Sequence, residues 1–330
     1  MQATFLGLPR VQVALAAALL FVMACMPAFA DDFQLSVIGL VFLFASTGQA
    51  WNLMMGYAGQ LSLGHSLYFG LGAYTMAILT QKLGINPWLG LPASAAVGAV
   101  LGALCGALGF RFAVRGVYFA LLTIAFAELA RILFEHWDYI GGTGGLFFSA
   151  LPVGNNPLAT LRGSAGFFYY ALLATLACIW LLCALLVNSR IGYYWRAIRE
   201  DEDAARALGV PAFRMKIAAT AVSAAMTGVC GAWFALLQGS LFPDGVLGMR
   251  LSIDIIVAPI VGGLGTLFGP IIGAVVTVTL SEVSKELAQH FSINGLNFIF
   301  YGTLLLLIVL FAPHGIWPPL ARLLKIGGKD

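Results

Sequence analysis

The chain has 330 residues, of which 61% are hydrophobic and 9% charged, with a formal net charge of +3. A mean hydropathy of +0.94 and repeated apolar runs of about 20 residues exclude an ordinary soluble domain and describe a polytopic membrane protein. The basic residues form no stripe interleaved with aromatics, so nucleic acid is not an expected partner. All five cysteines (Cys25, Cys105, Cys178, Cys183 and Cys230) fall inside apolar runs, which points to packing rather than to a disulfide framework or a metal site.

In chain order, Arg10 precedes the apolar run Val11 to Cys25, and Pro27-Ala28-Phe29-Ala30 precedes Asp31. This fits a cleaved secretory signal or an uncleaved first span over residues 11–30, and the abundance of later spans favours the uncleaved one. Further apolar segments follow at 35–55, 62–80, 88–110, 117–136, 166–187, 214–238, 253–280 and 297–312. Twelve of the 17 basic residues lie at Arg10, at Arg111 and Arg115, between Arg190 and Lys216, and at Arg322, Lys325 and Lys329. Lys and Arg accumulate in cytoplasmic loops, so these four groups are expected on the cytoplasmic side. Nine uninterrupted spans would leave the C-terminus outside.

The stretch Asp254 to Leu280 restores the parity. Pro259, Gly262, Gly263, Gly265, Gly269 and Pro270 are too many breakers for one continuous helix. Two short helices joined by a Gly-rich bend at Gly262, Gly263, Gly265 and Gly269 are predicted. The expected fold is all-α, a polytopic membrane helical bundle with about ten crossings, short and interrupted helices, one domain over residues 1–330 and both termini cytoplasmic. No GxxxxGK[ST] motif or βαβ context accompanies the glycines, so any nucleotide is expected on another chain.

A second interrupted region, Trp51 to Thr75, carries Asn52, Gln60, Ser62, His65 and Ser66 among glycines. A lipid-facing helix does not tolerate that polarity. Asn52, Gln60, Ser62 and His65 either line a translocation path or cap one another in a closely packed interface. Gly98, Gly102 and Gly106, flanked by Ala95, Ala99, Ala103 and Ala107, form a small-xxx-small packing face. Glu128 and Arg131 share a helical face, which leaves Glu128 as an ion-pair partner or as part of a polar path. His136 and His314 stand apart from any Asp, Glu or Cys arrangement, so enzyme chemistry is not indicated.

Residues 195–216 hold the densest charge, including four consecutive acids from Glu200 to Asp203. The i,i+4 pairs Arg196/Glu200, Arg199/Asp203 and Glu202/Arg206, with Trp195, Ile198, Ala205 and Leu208 as an apolar side, predict one short amphipathic helix. Gly209 and Pro211 end it. A solvated linker, an interfacial helix and a docking helix all fit this pattern, and the acids disfavour anionic lipid.

The segment Asp203-Ala204-Ala205-x3-Gly209 resembles the EAA-x3-G motif of bacterial ABC importer permeases, with Asp in place of the usual Glu. "NLMMGYAGQLSLGHSLYFGLGAY", "RGVYFALLTIAFAE", "GGTGG", "RAIREDEDAARALGV" and "IVGGLGTLFGPIIGA" occur in the order, and at about the spacing, of the LivM-type permeases of branched-chain amino acid importers. The resemblance runs from Asn52 to Ala312. It implies a multi-pass subunit of the bacterial inner (plasma) membrane, in contact with membrane lipid. Its implied partners are a second, LivH-like permease, two cytoplasmic ABC ATPase subunits that bind ATP and Mg, and a periplasmic substrate-binding protein. The chain itself would be no enzyme and would bind no cofactor or metal.

Carried over from that family, residues 188–213 form the cytoplasmic coupling loop, and Arg199, Glu200, Asp203, Ala204, Ala205 and Gly209 its ATPase-coupling helix. Residues 313–330 form a cytoplasmic tail. Leucine, isoleucine and valine are the expected cargo, with urea, amides or aromatic acids as the alternative within the family. An ion-coupled secondary carrier or channel is the alternative of another class.

Overall fold

The computed structural model describes residues 4–5, 8–147, 161, 163–291 and 296–323. Every apolar run contains a helix. In order these are α1 (Arg10–Cys25), α2 (Asp32–Asn52), α3 (His65–Ala77), α4 (Pro87–Arg111), α5 (Val117–Glu135) and α6 (Ala165–Val187). There follow α7 (Arg190–Glu200), α8 (Glu202–Ala207), α9 (Ala212–Gln238), α10 (Pro243–Leu247), α11 (Met249–Gly262), α12 (Gly269–Phe291), α13 (Leu296–Phe311) and α14 (Trp317–Leu323). The only strands among the described residues are β1 (Thr4–Phe5) with β2 (Leu8–Pro9) and β3 (Leu146–Phe147) with β4 (Ser240–Leu241), both antiparallel pairs. Among the described residues, six helical stretches are long and apolar enough to cross a membrane, alongside shorter apolar helices such as α1.

Local chemistry sets the helix ends. Asn86 accepts from the Trp88 amide and Pro87 follows it, so α4 starts with one orphan donor satisfied and one removed. Gly239, at φ +67°, closes α9 in a left-handed turn. The predicted bend between α11 and α12 is present at residues 263–268. The second of the two predicted short helices is instead 23 residues long, because past Pro270 and Gly273 no further breaker intervenes before Phe291.

The expectation of one amphipathic helix over the charged loop is corrected. Asp201 is extended, at φ −156° and ψ 108°, and its side chain accepts from the amides of Asp203 and Ala204 at 2.9 Å each. A carboxylate offered to two orphan amides starts a new helix more favourably than it continues the old one. Of the predicted tail, Trp317–Leu323 is helical, while Lys325 and Lys329 lie outside the described residues.

Helix α2 runs through the middle of the bundle against α6, α9, α11 and α12, and α9 packs most extensively on α4 and α3. In a bilayer, apolar burial adds nothing to helix association, so close backbone approach has to supply the contact. The glycines of α4 do this as the sequence predicts. A methyl group at Gly102 would lie 2.5 Å from the Ala224 Cβ, and one at Gly228 would lie 2.5 Å from the Ser94 carbonyl. Ser94 in turn donates to the Gly72 carbonyl at 2.9 Å, which ties α4 to α3.

Two faces result. At one, residues 53–60, the 112–116 loop, α7, α8 and the 263–268 bend come together, and the Ile316 amide donates to the Val261 carbonyl at 2.9 Å. The loops that carry Arg111, Arg115 and the Arg190 to Lys216 cluster thus share a face with the segment leading into α14. At the opposite face lie the β3–β4 ribbon and the Lys82 ammonium over the Tyr139 ring.

The α4–α9 crossing gives a direct test. Gly102→Val should destabilise the detergent-solubilised protein by about 1–3 kcal/mol through overpacking, read as a lower thermal midpoint. Val100→Ile, on the exposed side of the same helix, should leave the midpoint unchanged.

Candidate functional site

Helices α7 and α8 are fixed on one side and open on the other. Trp195, Ile198 and Ala205 are buried, and the Trp195 indole donates to the Met215 carbonyl at 2.8 Å. Glu202 anchors α8. It accepts from Lys216 Nζ at 2.9 Å and from Arg206 at 2.5 Å, and lies 3.8 Å from Arg115. The buried Lys216 stem also sets its ammonium over the Phe110 ring at 4.5 Å, a cation–π contact that offsets part of the cost of its burial. Arg115 reaches Asp203 at 3.4 Å, and that carboxylate, followed by Glu202, raises the guanidinium pKa above its ordinary value.

The predicted Glu202/Arg206 pair is therefore formed, while Arg196/Glu200 and Arg199/Asp203 are not. The extended Asp201 breaks the helical phase between Arg199 and Asp203, whereas Arg196 and Glu200 keep helical spacing within α7 and are each taken by other partners. Arg199 instead pairs with Glu200 at 2.6 Å, and Arg196 donates to the Val187 carbonyl at 3.1 Å. Leu208 is corrected too: it is 86% exposed rather than part of the buried side, because the chain leaves the helix there and Gly209, at φ +87°, turns it away. The outward surface includes Glu200 and Asp203, each 72% exposed, with Asp201, Ala204, Arg206, Ala207 and Leu208 beside them.

Three groups that the sequence left separate converge on the inner side of α7. Helix α2 ends in a wide π turn at Leu53–Tyr57, which turns the Gly56 carbonyl out of the helical ladder's usual pattern. Arg199 Nη1 donates to that carbonyl at 2.6 Å. Gly265 of the bend lies against the same place: a methyl group there would sit 3.0 Å from the Gly56 carbonyl and 3.2 Å from Arg199 Nη1, at a backbone φ of +70°. Asn52 completes the junction from below. Its Oδ1 accepts from the Gly265 amide at 2.8 Å and its Nδ2 donates to the Thr266 carbonyl at 2.9 Å. Thr266 then donates to the Gly263 carbonyl and accepts from the Gly269 amide at the start of α12. Residues Gly262 and Gly269 let the two helices touch where they leave the bend.

The segment 58–64, between the π turn and α3, is non-helical with no exposed residue, and side chains satisfy its backbone, as irregular chain within a bundle requires. The Trp51 indole donates to the Ser62 carbonyl at 2.7 Å, and the Leu63 amide donates to Thr123 Oγ1 at 3.1 Å. Ser223 donates to the Ala50 carbonyl at 2.7 Å, so its oxygen receives the proton of His65 Nε2 at 2.9 Å, and His65 Nδ1 is hydrogen-bonded with the Ser62 hydroxyl at 3.1 Å. Both ring nitrogens of His65 are thereby hydrogen-bonded, with Nε2 the donor to Ser223. Asn52, Ser62 and His65 are wholly buried; Gln60 is half-buried and donates to the Ala58 carbonyl at 2.8 Å. Glu128 pairs with Arg131, which also holds Glu135 and lies 3.9 Å from Asp244. Among the described residues no three His, Cys, Asp or Glu side chains are grouped to hold a metal ion.

Sequence reasoning missed Gly56, Arg115, Thr266 and Ser223. Gly56 acts through a carbonyl, which has no sequence signal. Arg115 was legible only as a basic loop residue, and Ser223 sits in an apolar run 158 residues from His65.

A family model described as branched-chain amino acid transport system / permease component matches residues 33–310. The high-affinity branched-chain amino acid transport system permease protein LivM of Salmonella typhimurium (strain LT2) is 29% identical over 330 residues, covering 94% of this chain and 76% of that protein. LivM of Escherichia coli K12 gives the same identity and coverage. The probable branched-chain amino acid transport permease protein LivH of Methanocaldococcus jannaschii is 28% identical over 276 residues, covering 78% of this chain and 84% of that protein. The chain belongs to the branched-chain amino acid transport permease family and is a multi-pass membrane protein.

The His65 bonding order predicts an asymmetry. Ser223→Ala leaves the buried Nε2 proton without an acceptor and should cost about 1–3 kcal/mol. Ser223→Thr, which keeps the hydroxyl, should cost less; thermal unfolding of the solubilised protein compares the two.

Proposed function

We propose that the chain is the LivM-type membrane subunit of an ATP-driven importer that carries leucine, isoleucine and valine from periplasm to cytoplasm. It works beside a second, LivH-like permease, with two cytoplasmic ATPases that bind ATP and Mg and a periplasmic binding protein that delivers the substrate. The membrane is the bacterial inner membrane, and the face bearing α7 and α8 is cytoplasmic, as its basic loops favour.

The observation that carries this reading is the two-sidedness of α7 and α8. Their inner side is locked by Trp195, Ile198, Ala205 and the Glu202 anchor, while Glu200, Asp203, Ala204 and Leu208 face outward. A solvated linker has no need of a rigid inner side. A docking element does, because only a stiff body transmits displacement. Two acids around an exposed Leu suit a cleft with a basic rim and an apolar floor, and the ATPase is the partner that supplies one. Closure of the ATPases on ATP displaces α7 and α8, and Arg199 passes the movement to α2 and to the bend. Asn52 and the glycines of the bend belong to this relay, while Ser62 and His65 brace the adjoining segment. Glu128, the acid the sequence offered to an ion-coupled carrier, is committed to Arg131.

In the importer reconstituted with its own partners, Glu200→Arg combined with Asp203→Arg should leave the permease in the membrane and abolish substrate-stimulated ATP hydrolysis. Full stimulation in the double variant would show that this surface is not the docking site. A supply of leucine, isoleucine and valine that does not enter proteoliposomes bearing the wild-type complex would instead point to another cargo.

A further inference from the structure

Helices α11 and α12 run antiparallel away from the bend, and a cavity of about 290 Å³ opens between them, α2 and α13. Its size is at the lower end of small-molecule sites, about 300 Å³. Ser281, on its wall, is about 18 Å along α12 from Gly269 at 1.5 Å per residue, beyond the midpoint of a hydrocarbon core about 30 Å thick. The cavity is therefore at membrane depth, yet four charged side chains line it. Arg250 and Asp254 stand one turn apart on α11, and Glu282 and Lys285 pair at 2.6 Å on α12. Asp254 is within electrostatic reach of both Arg250 and Lys285. Facing these charges, Leu40 and Phe44 present an apolar wall one turn apart on α2.

Charges at this depth cannot face lipid without large cost, and they mark a substrate route or a protein partner. Both signs side by side, opposite an aliphatic and aromatic wall, match one ligand chemistry closely. A carboxylate fits toward Arg250 and Lys285, an ammonium toward Asp254 and Glu282, and an apolar side chain toward Leu40 and Phe44. A neutral solute such as urea carries no charge to pair with any of the four. We propose that this cavity is the station at which the permease holds a zwitterionic α-amino acid with an apolar side chain during transit. The proposal rests on the import reading above and names the residues of this subunit that select its cargo.

The test uses the complete importer in proteoliposomes, with the native cysteines of this chain replaced and Ser281→Cys introduced. A membrane-impermeant methanethiosulfonate reagent should label Cys at this position, and leucine should slow the labelling several-fold. Isocaproate and isopentylamine, which each lack one of leucine's two charges, should not slow it. Adding Asp254→Asn should abolish protection by leucine while leaving the cysteine reactive. If the preparation imports leucine but leucine leaves labelling unchanged, or isocaproate protects equally, the station is elsewhere. A cysteine that reacts in the isolated chain and not in the assembled importer means that a partner subunit fills the cavity, which also overturns the proposal. Absence of leucine uptake by the wild-type importer would remove the import reading, and this inference with it.

Discussion

One guanidinium joins the surface of this protein to its interior. Arg199 belongs to a helix that lies outside the bundle, yet its Nη1 reaches the Gly56 carbonyl at 2.6 Å, next to the glycine that forms the bend between α11 and α12. A charge-assisted bond of this kind contributes about 1.5–3 kcal/mol, toward the lower figure for a side chain that is partly exposed. Its importance is positional. It falls where α2 leaves its helical path, where the bend exposes its backbone, and where Asn52 bonds both sides of that bend. The central helix, the bend-linked pair α11–α12 and the peripheral helices therefore share one fixed point.

The junction exists because backbone in a bundle must be satisfied from within. A π turn at residues 53–57, the irregular segment 58–64 and the bend at 263–268 each leave carbonyls and amides without ladder partners. Side chains from distant parts of the chain take them up: Asn52 for Gly265 and Thr266, Arg199 for Gly56, Thr123 for Leu63, Ser252 for Ser66. Each bond crosses between elements, so a rigid shift of one element has to exchange bonds rather than stretch them. That is the behaviour expected where helices switch between two arrangements.

The fold was largely legible because membrane helices write themselves as apolar runs. The breakers between Pro259 and Pro270 located the bend, and Gly98, Gly102 and Gly106 marked the packing face of α4, though not α9 as its partner. The break at Asp201 was not legible. Its neighbours satisfy helical i,i+4 spacing equally well, and only the capping geometry of that one carboxylate decides against a continuous helix. The junction itself was half legible. Asn52, Arg199 and Gly265 each stood out, by polarity, by motif and by breaker content, but nothing in the sequence says that they meet, since two of the contacts are to backbone carbonyls. The charged cavity was hidden for another reason: Arg250/Asp254 and Glu282/Lys285 each have the spacing of an ordinary helical pair, and only the antiparallel packing of α11 on α12 brings them together.

The central claim is that Arg199 carries movement inward rather than merely holding α7 in place. The most direct measurement is the number of leucine molecules taken up per ATP hydrolysed by reconstituted importers carrying Arg199→Gln, a planar, neutral replacement. With Glu200 and Asp203 still available for docking, the account predicts that ATP hydrolysis persists while uptake per ATP falls about tenfold or more, as loss of a charge-assisted bond of this strength implies. An unchanged ratio of uptake to hydrolysis would contradict it and reduce the Arg199–Gly56 contact to a structural brace.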